Sequence, residues 1–273
     1  MSTTTETGGA TPQPAAVEKD DPWRYGSRYL RREGPDGAVS YEEVPLRKED
    51  LLHPEEGDRP VLTEGHVNDC SYLRDVFKTW AAGKLDALVL SDHRVDWQVP
   101  GLRPLGPDVV VFRNVHRPWD PERGTFPVAD FGARTLLVIE VTSPDTRVND
   151  LGIKVGLYHR AGVPFYAVVD RHQTRGGLDL RLLGYRADPA DPTQYAHVAP
   201  DERGRLWLDQ ARMWLAAENG RAVCYDEQGN RIPDYPQLAV DARAAVDRIK
   251  ELEAELQRLR AQAKGGPPNP ATP

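Results

Sequence analysis

The run Thr135-Leu-Leu-Val-Ile-Glu-Val141 constrains the fold more than any other stretch of the chain. Its near-continuous apolar character predicts a strand covered on both faces, broken only by Glu140. A carboxylate in such a run needs a partner or a cation, because an unpaired buried charge is strongly penalised. A second apolar run, Asp108-Val-Val-Val-Phe112, follows Gly106 and Pro107 and opens on an acid. Two acids at the working ends of adjacent strands are suited to share a divalent cation. Mg²⁺ prefers oxygen ligands and keeps several waters, so two carboxylates plus a substrate phosphate suffice. The alternative has Asp108 ending a turn and Glu140 capping a sheet edge.

The pattern around these runs predicts an α/β core. Val67, Cys70, Leu73, Val76, Phe77 and Trp80 recur at helical spacing, giving a helix over 66–83 that stops at Gly83. Strands follow at Leu85–Leu90, Arg94–Val99 and Asp108–Phe112, then an unpatterned loop, Arg113–Ala133. After the strand Thr135–Val141 and the turn Thr142–Val148 comes a helix from Asn149 to Ala161. Gly162 ends it, and Phe165–Val169 is the next buried strand. The order is helix, three strands, strand, helix, strand, extended by short strands at Leu178–Tyr185, Tyr195–Val198 and Arg205–Asp209. On the second helix Leu151, Val155 and Tyr158 form one stripe, with Lys154 on its flank and Asp150 one turn earlier. A lysine there can reach the carboxylates and stabilise phosphate charge. The alternative is a weak surface Asp150–Lys154 pair.

Composition separates this core from its ends. Hydrophobic residues make up 39%, mean hydropathy is −0.60, and 24 of 273 residues are proline. Residues 1–22 and 264–273 read as disordered tails around a domain spanning 44–235. Within 239–263, Ala242, Ala245, Ile249, Leu252, Leu256, Leu259 and Ala263 step by threes and fours, a two-stranded coiled-coil seam that implies a homodimer. A helix that docks on its own domain or frays is the alternative.

No run approaches the ~20 apolar residues of a membrane helix, and no signal peptide is legible at the start. Two cysteines, Cys70 and Cys224, allow one bridge at most, and the expectation is a reducing cytoplasm. The net charge, 35 − 42 = −7, excludes a strongly basic nucleic-acid coat. Locally, 131–186 carries eight Arg and Lys against five Asp and Glu. Arg134, Arg147, Arg171 and Arg175 are the phosphate-contact candidates, against solvated surface arginines as the ordinary outcome. A phosphate-binding glycine loop, a Gly-x-Ser-x-Gly elbow and a helix-turn-helix pattern are all lacking. The seven histidines form no pair at metal-ligand spacing, so no zinc site is expected.

Taken together, Pro107-Asp108-Val-Val-Val, Val138-Ile-Glu140-Val-Thr-Ser143-Pro-Asp-Thr146-Arg147, Asp150-Leu-Gly-Ile-Lys154 with Tyr158, and Ala161-Gly162-Val163-Pro164-Phe165-Tyr166 resemble the Uma-type restriction-endonuclease family of the PD-(D/E)XK nuclease superfamily. The resemblance covers about residues 44–235. It implies a restriction-endonuclease-like fold and a Mg²⁺-dependent DNA endonuclease, with Mn²⁺ as a substitute. It implies Asp108, Glu140 and the Val141 carbonyl as metal ligands and Lys154 as the catalytic cation. Thr142 stands where the superfamily has its lysine, and Phe165 where relatives commonly carry a glutamate. His66 matches a histidine frequent in the family. Glu64 beside it is a metal-facing candidate, though a helix-start role fits it better; His66, Asp150 and Tyr158 are auxiliary candidates. Two other readings stay open: a nuclease-fold protein that binds DNA or a partner with little activity, and a nuclease subunit whose protein partner recognises the target.

Overall fold

The computed structural model describes residues 21–264 apart from position 192, and the two expected tails lie almost wholly outside the described residues. The chain opens with strands β1 (Gly26–Glu33), β2 (Val39–Pro45) and β3 (Arg59–Pro60), ordered β2-β1-β3 in an antiparallel sheet. Gly26 has φ +104°, and a Cβ there would lie 1.9 Å from the Arg59 carbonyl oxygen, so the β1–β3 contact requires glycine. Helix α1 (Glu64–Ala81) follows, its first turn capped by Thr63, whose Oγ1 accepts from the His66 N–H at 3.4 Å.

Next come β4 (Leu88–Ser91), β5 (Arg94–Asp96), β6 (Val109–Arg113), β7 (Thr125–Pro127) and β8 (Arg134–Val141). A π turn, Asn149–Ile153, runs into helix α2 (Lys154–Arg160). Strands β9 (Phe165–Thr174), β10 (Gly177–Ala187) and β11 (Tyr195–Val198) complete a six-stranded sheet of order β11-β10-β9-β8-β6-β4. Only β8 and β9 run parallel in it, joined by the crossover that carries α2. Strands β12 (Leu206–Leu208), β13 (Met213–Glu218) and β14 (Arg221–Tyr225) form a third sheet, and helix α3 (Tyr235–Lys264) ends the described chain.

Strand alternation sorts the core into two layers. Val109 and Val111 of β6 and Leu137, Ile139 and Val141 of β8 pack against Cys70, Leu73 and Phe77 of α1 and Leu206, Met213 and Leu215 of the third sheet. Val110, Phe112 and Val138 face the other way, onto Tyr158, Trp97 and Phe126. Full burial of a side chain such as Leu73 or Phe77 contributes about 1.5–3 kcal/mol. By the same alternation Glu140 shares the face of Val138, toward α2.

The expected order of elements needs two corrections, the first being that the strand expected at Arg205–Asp209 to extend the core is β12, which joins β13 and β14 in the separate third sheet. Second, the stretch Arg94–Val99 contributes β5, which leaves the main sheet and pairs in parallel with β7, inside the stretch expected to be a loop. The Asp96 carboxylate accepts from the Gln98 N–H at 2.8 Å, Gln98 takes φ 57°, and Pro100 follows, so the strand cannot continue. The second helix is also shorter than Asn149–Ala161, its first turn being π rather than α. Cys70 and Cys224 are buried free thiols. No described helix is long and apolar enough to cross a membrane.

Candidate active site

The antiparallel register of β6 and β8 pairs Val109 with Ile139, and its continuation brings Asp108 opposite Glu140. Both acids open into a cleft of about 580 Å³ that Lys154, His66, Asp92 and Asp145 also line. Asp108 is held from behind: its Oδ2 accepts from the Val141 N–H at 2.6 Å, and its Oδ1 lies 3.5 Å from His66 Nε2. Burial alone would raise the Asp108 pKa, but His66, Lys154 and the Val141 N–H outweigh it and hold the carboxyl below its ordinary value.

Glu140 is nearly sealed, at 1% exposure. Its Oε1 accepts from the Tyr158 hydroxyl at 2.5 Å and lies 2.9 Å from Lys154 Nζ. Lys154 Nζ is also 2.9 Å from Asp150 Oδ1, and Tyr166 donates to the Asp150 carbonyl at 2.8 Å. The Asp150–Lys154 pair is thus fully internal, not the surface pair that was the alternative. Burial pushes the Glu140 carboxyl well above its ordinary pKa, with the Asp108 and Asp150 charges adding to it and Lys154 only partly offsetting it. Burial also disfavours the Lys154 ammonium, yet Asp150, Glu140 and Asp108 more than compensate and raise its pKa. Three acids around one lysine, Glu140 and Asp150 buried and Asp108 partly exposed, leave an anionic surplus, and that surplus, open to the cleft at Asp108, fits a divalent cation.

The other expected residues divide. His66 lies inside the site, 3% exposed, while Glu64 is an exposed first-turn acid of α1. Arg147 and Arg171 require correction as free phosphate contacts. Arg147 pairs with Asp170 at 2.6 and 2.9 Å, and the Arg171 guanidinium donates to the fully buried Asp69. A buried carboxylate claims a nearby guanidinium because it has no water to turn to. Arg134 and Arg175 are exposed. Thr142 is buried, accepting from the Arg171 N–H at 2.8 Å and donating to Asp170, and Phe165 is a core residue.

Sequence reasoning missed Asp92. It sits in the turn between β4 and β5 at φ 48°, its N–H donating to the Asp108 carbonyl at 3.3 Å. Desolvation at the cleft wall and the Asp108 charge push its carboxyl up to about 6. A polar Ser-Asp pair directly after an apolar strand was the available signal.

The family model described as "Uma2: Putative restriction endonuclease" matches residues 58–218, more than half of the chain. This chain belongs to the Uma2 family. Asp108, Glu140, Asp150 and Lys154 all fall within the matched span, whereas β1 and β2 precede it. Among solved structures, one described as a "putative nuclease belonging to DUF820" from Anabaena variabilis ATCC 29413 is similar at 17% identity. That match covers 65% of this chain and 78% of the other, with a TM-score of 0.37. No curated protein matches.

Proposed function

We propose that this Uma2 protein is a metal-dependent endonuclease that hydrolyses phosphodiester bonds in DNA. The observation that carries the reading is that Asp108, directly before β6, and Glu140 of the paired strand β8 line one cleft, with Lys154 Nζ 2.9 Å from Glu140. Family membership supports nuclease chemistry, and the anionic surplus supports a cation. Asp108, Glu140 and the Val141 carbonyl would hold Mg²⁺, with Mn²⁺ able to replace it. The bound cation supplies Lewis-acid polarisation of the phosphate and an activated water.

The chain's own residues do the rest. Lys154, boxed by Glu140 and Asp150, offers a fixed positive charge to the phosphoryl oxygens as negative charge grows on them. Tyr158 and Lys154 orient the Glu140 carboxylate by holding its Oε1, and the Val141 N–H does the same for Asp108. The water oxygen bonds to phosphorus, the bond to the departing sugar oxygen breaks, and the proton ends on that oxygen. Two copies would pair through the exposed seam of α3, in a reducing cytoplasm where Cys70 and Cys224 stay thiols. The acids that line the cleft, Asp50, Glu55, Glu56 and Asp58 among them, favour the version in which a partner protein brings the DNA target.

Nicking of supercoiled plasmid tests the reading. Wild type should nick in Mg²⁺ and stop in EDTA, Asp108→Ala should be inactive, and Lys154→Ala should lose about 10²–10³ in turnover while still binding cation. Wild-type rates in Lys154→Ala would remove that residue from the chemistry.

A further inference from the structure

Two groups beside Asp108 are not used by the chemistry above: His66, which lines the cleft, and Cys70, buried behind it. His66 and Cys70 stand four residues apart on α1, so both side chains leave the same face of the helix. That face meets Asp108 at the mouth of β6. His66 Nε2 lies 3.5 Å from Asp108 Oδ1 and 3.4 Å from Cys70 Sγ, and the three donor atoms lie within 4.8 Å of one another. Among the described residues, the buried His66 Nδ1 has no hydrogen-bond partner, and the contacts of the imidazole are made by Nε2.

These spacings fit a small tetrahedral ion. With Zn–N and Zn–O bonds of about 2.0 Å and Zn–S bonds of about 2.3 Å, tetrahedral ligands stand roughly 3.3–3.8 Å apart. The two separations measured at Nε2 fall in that interval. The donor set, one imidazole, one thiol and one carboxylate, is that of a thiophilic transition metal and not of Mg²⁺, which takes oxygen ligands. Three protein donors next to an open cleft leave the fourth position for water.

We propose that His66, Cys70 and Asp108 form a second cation site, selective for Zn²⁺-class ions, sharing Asp108 with the Mg²⁺ position of the nuclease reading. The site rests on that reading only for the shared carboxylate, and its binding can be measured without any cleavage. Neither a search for histidine pairs nor one for cysteine pairs finds it, because its helical half is a mixed His66–Cys70 pair and its third donor comes from a distant strand. On binding, the Cys70 proton leaves to solvent and a metal–sulfur bond forms, with no change of oxidation state.

Co²⁺, used as a spectroscopic stand-in for Zn²⁺, tests the assignment on the full-length protein. Wild type should bind one Co²⁺ per chain with a thiolate-to-metal charge-transfer band and intense tetrahedral d–d absorption, both displaced by one equivalent of Zn²⁺. Cys70→Ser should lose the charge-transfer band and at least tenfold in affinity, and His66→Gln should lose the intense d–d absorption. Glu140→Ala should keep all three signatures while losing Mg²⁺-dependent nicking, which separates this site from the nuclease reading. Circular dichroism confirms that each variant is folded. Binding without a thiolate band, or a band that survives in folded Cys70→Ser, would overturn the proposal.

Discussion

At the scale of single residues the site is a problem of charge balance. Glu140, Asp150 and Lys154 are each at least 96% removed from solvent, at 1%, 1% and 4% exposure. Among the described residues, the ammonium is the only cationic side chain in contact with either carboxylate. Removing it as Lys154→Met should lower stability by about 3–5 kcal/mol in urea unfolding, because two buried carboxyl groups lose their counter-charge. Glu140→Gln should cost clearly less, since it relieves repulsion from Asp108 and Asp150. Equal losses would mean that the lysine is not holding the acids together. Glu140 was legible in the sequence because it interrupts an apolar strand, and Lys154 because it flanks the apolar stripe of the following helix. Arg147 and Arg171 were not, because the carboxylates that claim them lie 23 and 102 positions away in the chain.

At the scale of elements, α1 is fastened to β9 and β14 by one acid. Asp69 is fully buried; Arg221 donates to it at 2.8 Å, Arg171 donates to its other oxygen, and the Ala222 N–H donates at 3.2 Å. Tyr72, one helical turn on, accepts from the Cys224 N–H at 2.8 Å and donates to the Ile232 carbonyl at 2.7 Å. Asp69→Ala should therefore cost about 3–5 kcal/mol, read as a lower urea midpoint, because two guanidinium groups and an N–H are left without their acceptor. A loss below 1 kcal/mol would show that water replaces the carboxylate freely.

The two helices beside Asp108 and Glu140 could be read from periodicity and the strands from their continuous apolar runs, since the helices bury one face and the strands both. The departure of β5 could not, because it depends on an Asp96 turn and on pairing with β7. The π turn before α2 was equally hidden. It inserts extra backbone per turn, and Asp150 inside it meets Lys154, the residue directly after it.

At the scale of the whole molecule, two features stand outside the nuclease-like body. The first is α3, thirty residues long, with Val246, Ile249, Leu252, Leu256 and Leu259 all exposed along one side. These side chains do not dock on the described domain, which leaves pairing and fraying as the two alternatives; Ala263, the last member of the expected seam, has no described side chain. Deleting 241–273 should convert a dimer to a monomer by light scattering, and an unchanged mass would retire the coiled coil. The second feature is the strand pair β1–β2, which the expected domain start at 44 left out. Its residues are mostly exposed and alternate poorly, so no periodicity marks it. It nevertheless reaches the cleft through Arg28, which pairs with Asp58 at 2.8 Å and Glu55 at 3.0 Å.

The measurement that bears most directly on the central claim is cleavage of supercoiled plasmid and single-stranded DNA in Mg²⁺, Mn²⁺ and EDTA, with wild type and Glu140→Ala side by side. Cation-dependent nicking by wild type, absent in EDTA and in a folded Glu140→Ala variant, is the expected result. Nicking that persists in Glu140→Ala, or in EDTA, would contradict the assignment of the paired strand-end acids as the cation-binding centre of a nuclease.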